Sequence, residues 1–316
     1  MLDLTDRLYV ATFQDNCINV IREYGLNIEY NHTCISDDLD EDKRELLLSA
    51  MRRDFSASGA KTAVLHGPFT EICPAAIDAR ARQMGRQRLE EAFQVCQSLG
   101  VNRMVVHTGW IPFIYFKDWQ AEKSALFWED FMKDKPAGFT LLVENVLEDE
   151  PFMLGDMMKK INDPRIKLCL DTGHANAMTR KDISVDKWIR HLGLHIGHFH
   201  LHNNYGDRDS HGTFCDGSLD MENIFSAIEK HCADAVDRKP RPVEEAAVGK
   251  GFVPIQKDGN LPEKPADRAE KEEINLLGEE KRYRSLLRCA EFGKIRKTVM
   301  FFHGDSITGT LKIIEL

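Results

Sequence analysis

The sequence has no CxxC pair, no internal repeat, no excess of basic charge and no apolar run near the roughly 18 to 20 residues of a membrane span. Each absence narrows the field. The eight cysteines (17, 34, 73, 96, 169, 215, 232 and 289) are scattered through a chain large enough to need no staples, so they read as reduced thiols. Forty-two Lys and Arg against fifty-one Asp and Glu leave a net charge of −9. That balance argues against a protein whose main business is coating nucleic acid or an anionic membrane, while leaving room for a small basic face. The opening stretch MLDLTDRLYVATF lacks the basic-then-apolar layout of a signal peptide, so a cytoplasmic location is expected.

What is present is the ordinary composition of a folded soluble protein: 316 residues, 42% hydrophobic and 29% charged. The length exceeds the ~250 residues of a typical α/β barrel, within the range that insertions produce. Short apolar runs alternate with amphipathic stretches. Strands are expected at Leu8–Phe13, Leu26–His32, Thr62–Phe69, Arg103–Gly109, Thr140–Val146, Ile166–His174, Ile196–Asn203 and Thr310–Leu316. Helices are expected at 41–58, 78–99, 119–133, 149–162, 184–192 and 219–231. An open doubly wound sheet shares this pattern, but its Gly-rich phosphate turn is missing after the first strand. A single (β/α)8 TIM-barrel domain spanning 1–316 is therefore preferred. Residues 232–300 break the rhythm, with prolines at 240, 242, 254, 262 and 265, and read as an irregular insertion before the last strand. No helix is expected after that strand.

Residues at the C-terminal ends of barrel strands converge on one mouth. Here those ends are polar. VLHGPF carries His66, MVVHTG carries His107, LLVENV carries Glu144, and LCLDTGH carries Asp171 and His174. HFHLHNN follows with His198, His200 and His202 on one strand face, then DRDSHG with Asp209 and His211, and finally TLKIIEL with Glu315. Such repetition is hard to explain without metal ions, because unpaired polar groups are costly to bury. Mixed His and carboxylate ligands without Cys suit Zn, Mn, Fe or Co. Which histidine of the seventh strand points inward stays open.

These motifs resemble the xylose-isomerase-like barrel superfamily, which holds the endonuclease IV family and many sugar or sugar-phosphate isomerases and epimerases. The likeness runs from Leu8 to about His231, and its strongest pieces are LHGPFTEICPAAID, VVHTGW, LLVENVLEDEP, LCLDTGHANA and HFHLHNNYGDRDSHGTFCDGSLD. The endonuclease IV pattern implies His66 and His107 on one metal, with Glu144 bridging to a second. It implies Asp171, His200 and Glu315 on that second metal, and His174, Asp209 and His211 on a third. The single-metal epimerases imply Glu144, Asp171, His200 and Glu315 alone, the two glutamates doubling as acid and base.

Two chemistries follow, both using one to three divalent ions, Zn or Mn. The preferred one is isomerisation or epimerisation of a small sugar or sugar phosphate. The alternative is a phosphodiesterase acting on abasic DNA; the family's Ser-Tyr stretch after the third-strand histidine is replaced here by GPFTEICPAAID, and no dense Lys/Arg stripe stands near the mouth loops. An inactive or binding-only barrel is the third reading. Trp110, His202 and Arg208 are candidate substrate contacts. Glu29 and His32 read as ordinary loop polarity, and no membrane partner is expected.

Overall fold

The computed structural model describes residues 7–13, 16–232 and the backbone of 314–315. Seven strands follow one another in space in chain order: β1 (Tyr9–Ala11), β2 (Asn27–Tyr30), β3 (Ala63–His66), β4 (Arg103–His107), β5 (Thr140–Glu144), β6 (Ile166–Asp171) and β7 (Ile196–His200). All are parallel. Helices α1 (Cys17–Tyr24), α2 (Glu41–Ser58), α3 (Ala79–Leu99), α4 (Lys117–Met132), α5 (Phe152–Lys160), α6 (Thr172–Met178), α7 (Val185–Leu192) and α8 (Met221–Cys232) intervene. The sheet curls far enough that Glu29 of β2 meets His198 and His200 of β7 across its concave side. This is an α/β TIM-like barrel wall, as expected.

Local chemistry explains the elements. α3 begins where Asp78 accepts the Arg80 N–H at 2.7 Å, and ends at Gly100, whose φ of +68° suits a residue without a Cβ. α7 buries Val185, Trp188, Ile189 and Leu192, the i, i+3, i+4, i+7 spacing of one helical face. The two sides of the sheet differ. Leu65, Met104, Val106, Leu141, Val143, Leu168, Leu170 and Phe199 belong to the main core, which also takes in residues of the surrounding helices. Tyr9, Val64, Val105, Leu142 and Cys169 form a separate small cluster of alternate residues on the same strands.

The final strand departs from expectation. Ile314–Glu315 (β8) pairs with β7 in the antiparallel sense, Glu315 opposite His198, whereas an eighth barrel strand would run parallel. The antiparallel bond pattern belongs to a strand entering from the mouth end; a crossover helix such as α8 would deliver it from the other. The expected insertion at 232–300 and the side chain of Glu315 lie outside the described residues.

Candidate metal centre

Moving two residues along each strand from the lower interior cluster changes its chemistry. Val64 gives way to His66, Val105 to His107, Leu142 to Glu144 and Cys169 to Asp171, and on β7 the same step runs from His198 to His200. The ladder sets His107 beside Glu144 and Asp171 beside His200. Side-chain alternation puts each of these residues on the face of the residue two before it, so parallel register alone gathers five polar side chains at the strand ends.

Glu144 is the hub. One oxygen lies 3.1 Å from His66 Nε2 and 3.5 Å from His107 Nε2. The other lies 2.7 Å from His200 Nδ1 and 3.5 Å from His174 Nδ1. Burial alone would raise its pKa, but the charge of His200 and hydrogen bonds with His200 and His66 hold it well below the usual carboxylate range. Asp171, also buried, is held low by His174, His202 and His200.

Among the described residues five groups of donors lie close enough to hold an ion, and three of them are the expected ones: His66, His107 and Glu144; Glu144, Asp171 and His200; and His174, Asp209 and His211. The other two share His200, with Glu29 and His66 or with Cys169 and His198. Backbone carbonyls orient two of the rings. His66 Nδ1 is 3.0 Å from the Gly67 oxygen and His174 Nδ1 is 2.9 Å from the Asn145 oxygen, so each presents Nε2 to its carboxylate. Asp171 also accepts the His174 N–H at 2.8 Å, so one residue caps α6 and faces the site. His211 is held at φ +50°, a conformation rare for a residue with a Cβ, and its Nε2 lies 2.7 Å from Asp209. The donor set fits divalent ions. Asp171 Oδ2 and Asp209 Oδ1 are buried with no hydrogen-bond partner among the described residues, and a cation would satisfy both.

Eight of the nine expected ligands therefore come together, the side chain of Glu315 being outside the described residues. The expected substrate contacts fare differently. Trp110 is 7% exposed and donates its indole N–H to the Tyr115 carbonyl, so it offers no open stacking face. His202 is fully buried. Arg208 is exposed at the mouth loop. Of the two residues expected to be ordinary loop polarity, Glu29 needs correction and His32 does not. Glu29 is no loop residue but is fully buried inside the barrel, between His198 at 3.3 Å and His200 at 3.1 Å. His32 lies 3.2 Å from Asp54 of α2, away from the centre. The signal for Glu29 is its two-residue step from Asn27, which places both on one strand face.

Residues 21–235 match the family model described as the xylose isomerase-like TIM barrel. An uncharacterized protein of Methanocaldococcus jannaschii, MJ1311, is 25% identical over 186 residues, covering 55% of this chain and 62% of the relative. The chain thus spans less than two thirds of that relative's length. Among solved structures, a D-tagatose 3-epimerase-like protein superposes with a TM-score of 0.56 at 19% identity, covering 71% of this chain and 86% of the other. The TTHB071 protein of Thermus thermophilus, soaked with ZnCl2, gives 0.55 at 22% identity, covering 72% and 88%. At these identities the likeness concerns the fold.

Proposed function

Because the chain belongs to the xylose isomerase-like TIM-barrel family, we propose that it is a divalent-metal-dependent isomerase or epimerase of a small sugar or sugar phosphate, acting in the cytoplasm. The observation that carries this reading is the Glu144 carboxylate, buried, ionised and shared between two groups of metal donors at the barrel mouth. A divalent ion bound there, Zn or Mn, would hold neighbouring sugar oxygens and polarise a carbonyl. His66 and His200 keep Glu144 charged and His107, held neutral by burial, helps to fix it; a charged carboxylate can take a proton from the carbon beside that carbonyl. Glu315, whose side chain lies outside the described residues, is proposed as the second carboxylate of the acid–base pair.

The surroundings support a small substrate. Lys117, the first residue of α4, is tied to Asp149 and, at 3.0 Å, to Glu150. Arg82 is spent on the Ala76 and Ile77 carbonyls. Arg208 stands exposed beside Asp209, enough for one phosphate but far from the stripe a duplex backbone requires. Among the described residues no helix is long and apolar enough to cross a membrane.

One observation favours the phosphodiesterase alternative: the third donor group, His174, Asp209 and His211, which proton transfer does not need. Two assays on one metal-loaded preparation separate the readings. Solvent-hydrogen exchange into a panel of ketoses and aldoses, lost in Glu144→Gln and kept in His211→Ala, supports the isomerase. Cleavage of an abasic-site duplex, abolished by His174→Ala or Asp209→Ala, overturns it. Neither activity, with no tightly bound divalent ion, leaves the inactive barrel.

A further inference from the structure

The sequence marks His202 as a substrate contact, yet its side chain is fully buried. Its Nε2 stands 2.8 Å from Asp171 Oδ1 and 3.5 Å from Asp209 Oδ1. Those carboxylates belong to different donor groups, Asp171 to the one with Glu144 and His200, Asp209 to the one with His174 and His211. The His202 ring also stacks on the His211 ring, centroids 4.1 Å apart and planes 1° from parallel. One side chain therefore touches the second group and two members of the third.

The backbone is arranged around this ring. A Cβ at Gly173 would lie 1.9 Å from a His202 ring atom, so a glycine directly after Asp171 and Thr172 is what makes room for it. The residue after His202 closes the loop that carries Asp209 and His211: Asn203 N–H donates to the Gly212 oxygen at 3.0 Å and Gly212 N–H donates to the Asn203 oxygen at 2.7 Å. Asn203 is itself pinned, its Nδ2 donating to the Phe214 and Leu219 carbonyls. The loop is thus anchored at its root, while its two donor residues rest on the His202 ring.

We infer that His202 is a positioning residue that builds the third metal position, holding Asp209 and His211 in place against the rigid end of β6 through Asp171. This rests on the metal-dependent reading above. Removing the ring takes the stacked neighbour from His211, in its strained backbone conformation, and leaves His174 to link Asp209 to Asp171. The first two donor groups do not include His202; Asp171 loses its 2.8 Å neighbour but still accepts the His174 backbone N–H.

Equilibrium dialysis of the full chain against graded free Zn2+ tests this. Wild type should hold three ions, with His211→Ala as the reference for loss of the third. His202→Ala and Gly173→Ala should each hold two as wild type does, with the third weakened by about 10- to 100-fold. The double variant Gly173→Ala/His202→Ala puts a methyl where the ring stood and relieves the packing defect, so it should fold and still lack the third ion. Three ions bound normally by folded His202→Ala, or recovery of the third in the double variant, would overturn the inference. So would a wild type that holds only one or two ions, which leaves the enzyme reading standing. A wild type that holds none defeats the metal reading itself.

Discussion

The lower and upper layers of the barrel interior are built by the same strands two residues apart, yet they do opposite things. Tyr9, Val64, Val105, Leu142 and Cys169 form a small buried cluster stabilised by packing. His66, His107, Glu144, Asp171 and His200 form a layer whose charges are held by one another. The backbone that one layer makes rigid is what lets the other keep ionised carboxylates out of water. On the proposed reading a divalent ion would complete the mouth layer, whereas the lower layer is already filled by its own side chains.

The sharpest way to break the comparison is Glu144→Gln. The fold should survive, since the amide has nearly the same shape, while turnover drops by about 10²- to 10⁴-fold, as expected for loss of a proton-transferring group. Normal turnover in this variant would remove Glu144 from the chemistry. Leu142→Ala, one step down the same strand, should do the reverse. It should cost about 2 to 5 kcal/mol in denaturant unfolding and leave the number of bound ions unchanged.

Glu29 and His198 sit where the layers meet, and Glu29→Gln tells which layer they serve. Burial would raise the Glu29 pKa, but His200 and His198 hold it far below the usual range, so a charged carboxylate backs the Nε2 side of a metal-facing ring. Metal affinity measured by chelator competition should fall by about 10- to 100-fold in Glu29→Gln. An unchanged affinity would assign Glu29 to the lower layer as a structural ion pair.

A smaller effect is expected from pH in metal-free protein. Burial lowers His174, but Asp171, Asp209 and Glu144 outweigh it and leave it at about 9. Its folded pKa is above the unfolded value, so its contribution is complete below about pH 6.5 and is lost as pH rises toward 9. Urea midpoints should fall across that window, where the raised His66 and His200 also contribute, and His174→Gln should make the slope shallower by an amount on the order of 2 kcal/mol. Persistence of the full slope in that variant would place the titration elsewhere. The least effect belongs to Arg208→Ala, which should raise KM for a phosphorylated sugar by about fivefold or less and leave its unphosphorylated counterpart untouched.

Much of this is legible in one dimension. Val-Leu-His, Val-Val-His and Leu-Val-Glu at strand ends announce a polar mouth, because ligand-type side chains placed repeatedly after apolar strand residues would be costly to bury without an ion to share. Helix α2 falls on its expected 41–58 because its charge pattern and Gly59 mark both limits. α6 is not legible. It begins directly at Asp171, with no linker residues to separate strand from helix, and its cap is a site residue. Trp110 misleads for a different reason: an aromatic after a site histidine suggests a sugar wall, and only the fold turns its N–H onto Tyr115.

By itself the sequence determined which strands exist, their order and the residue types at their ends, since these follow from local alternation and from the types that bind metals. The tertiary structure decided which side chains meet. Glu144 became the hub because parallel register sets it beside His107 and turns His66 and His200 toward it. His202 is buried because Gly173, having no side chain, leaves room for its ring. Contacts between residues far apart in the chain depend on register, curvature and the volume of neighbours, and none of these is a property of a local run of residues.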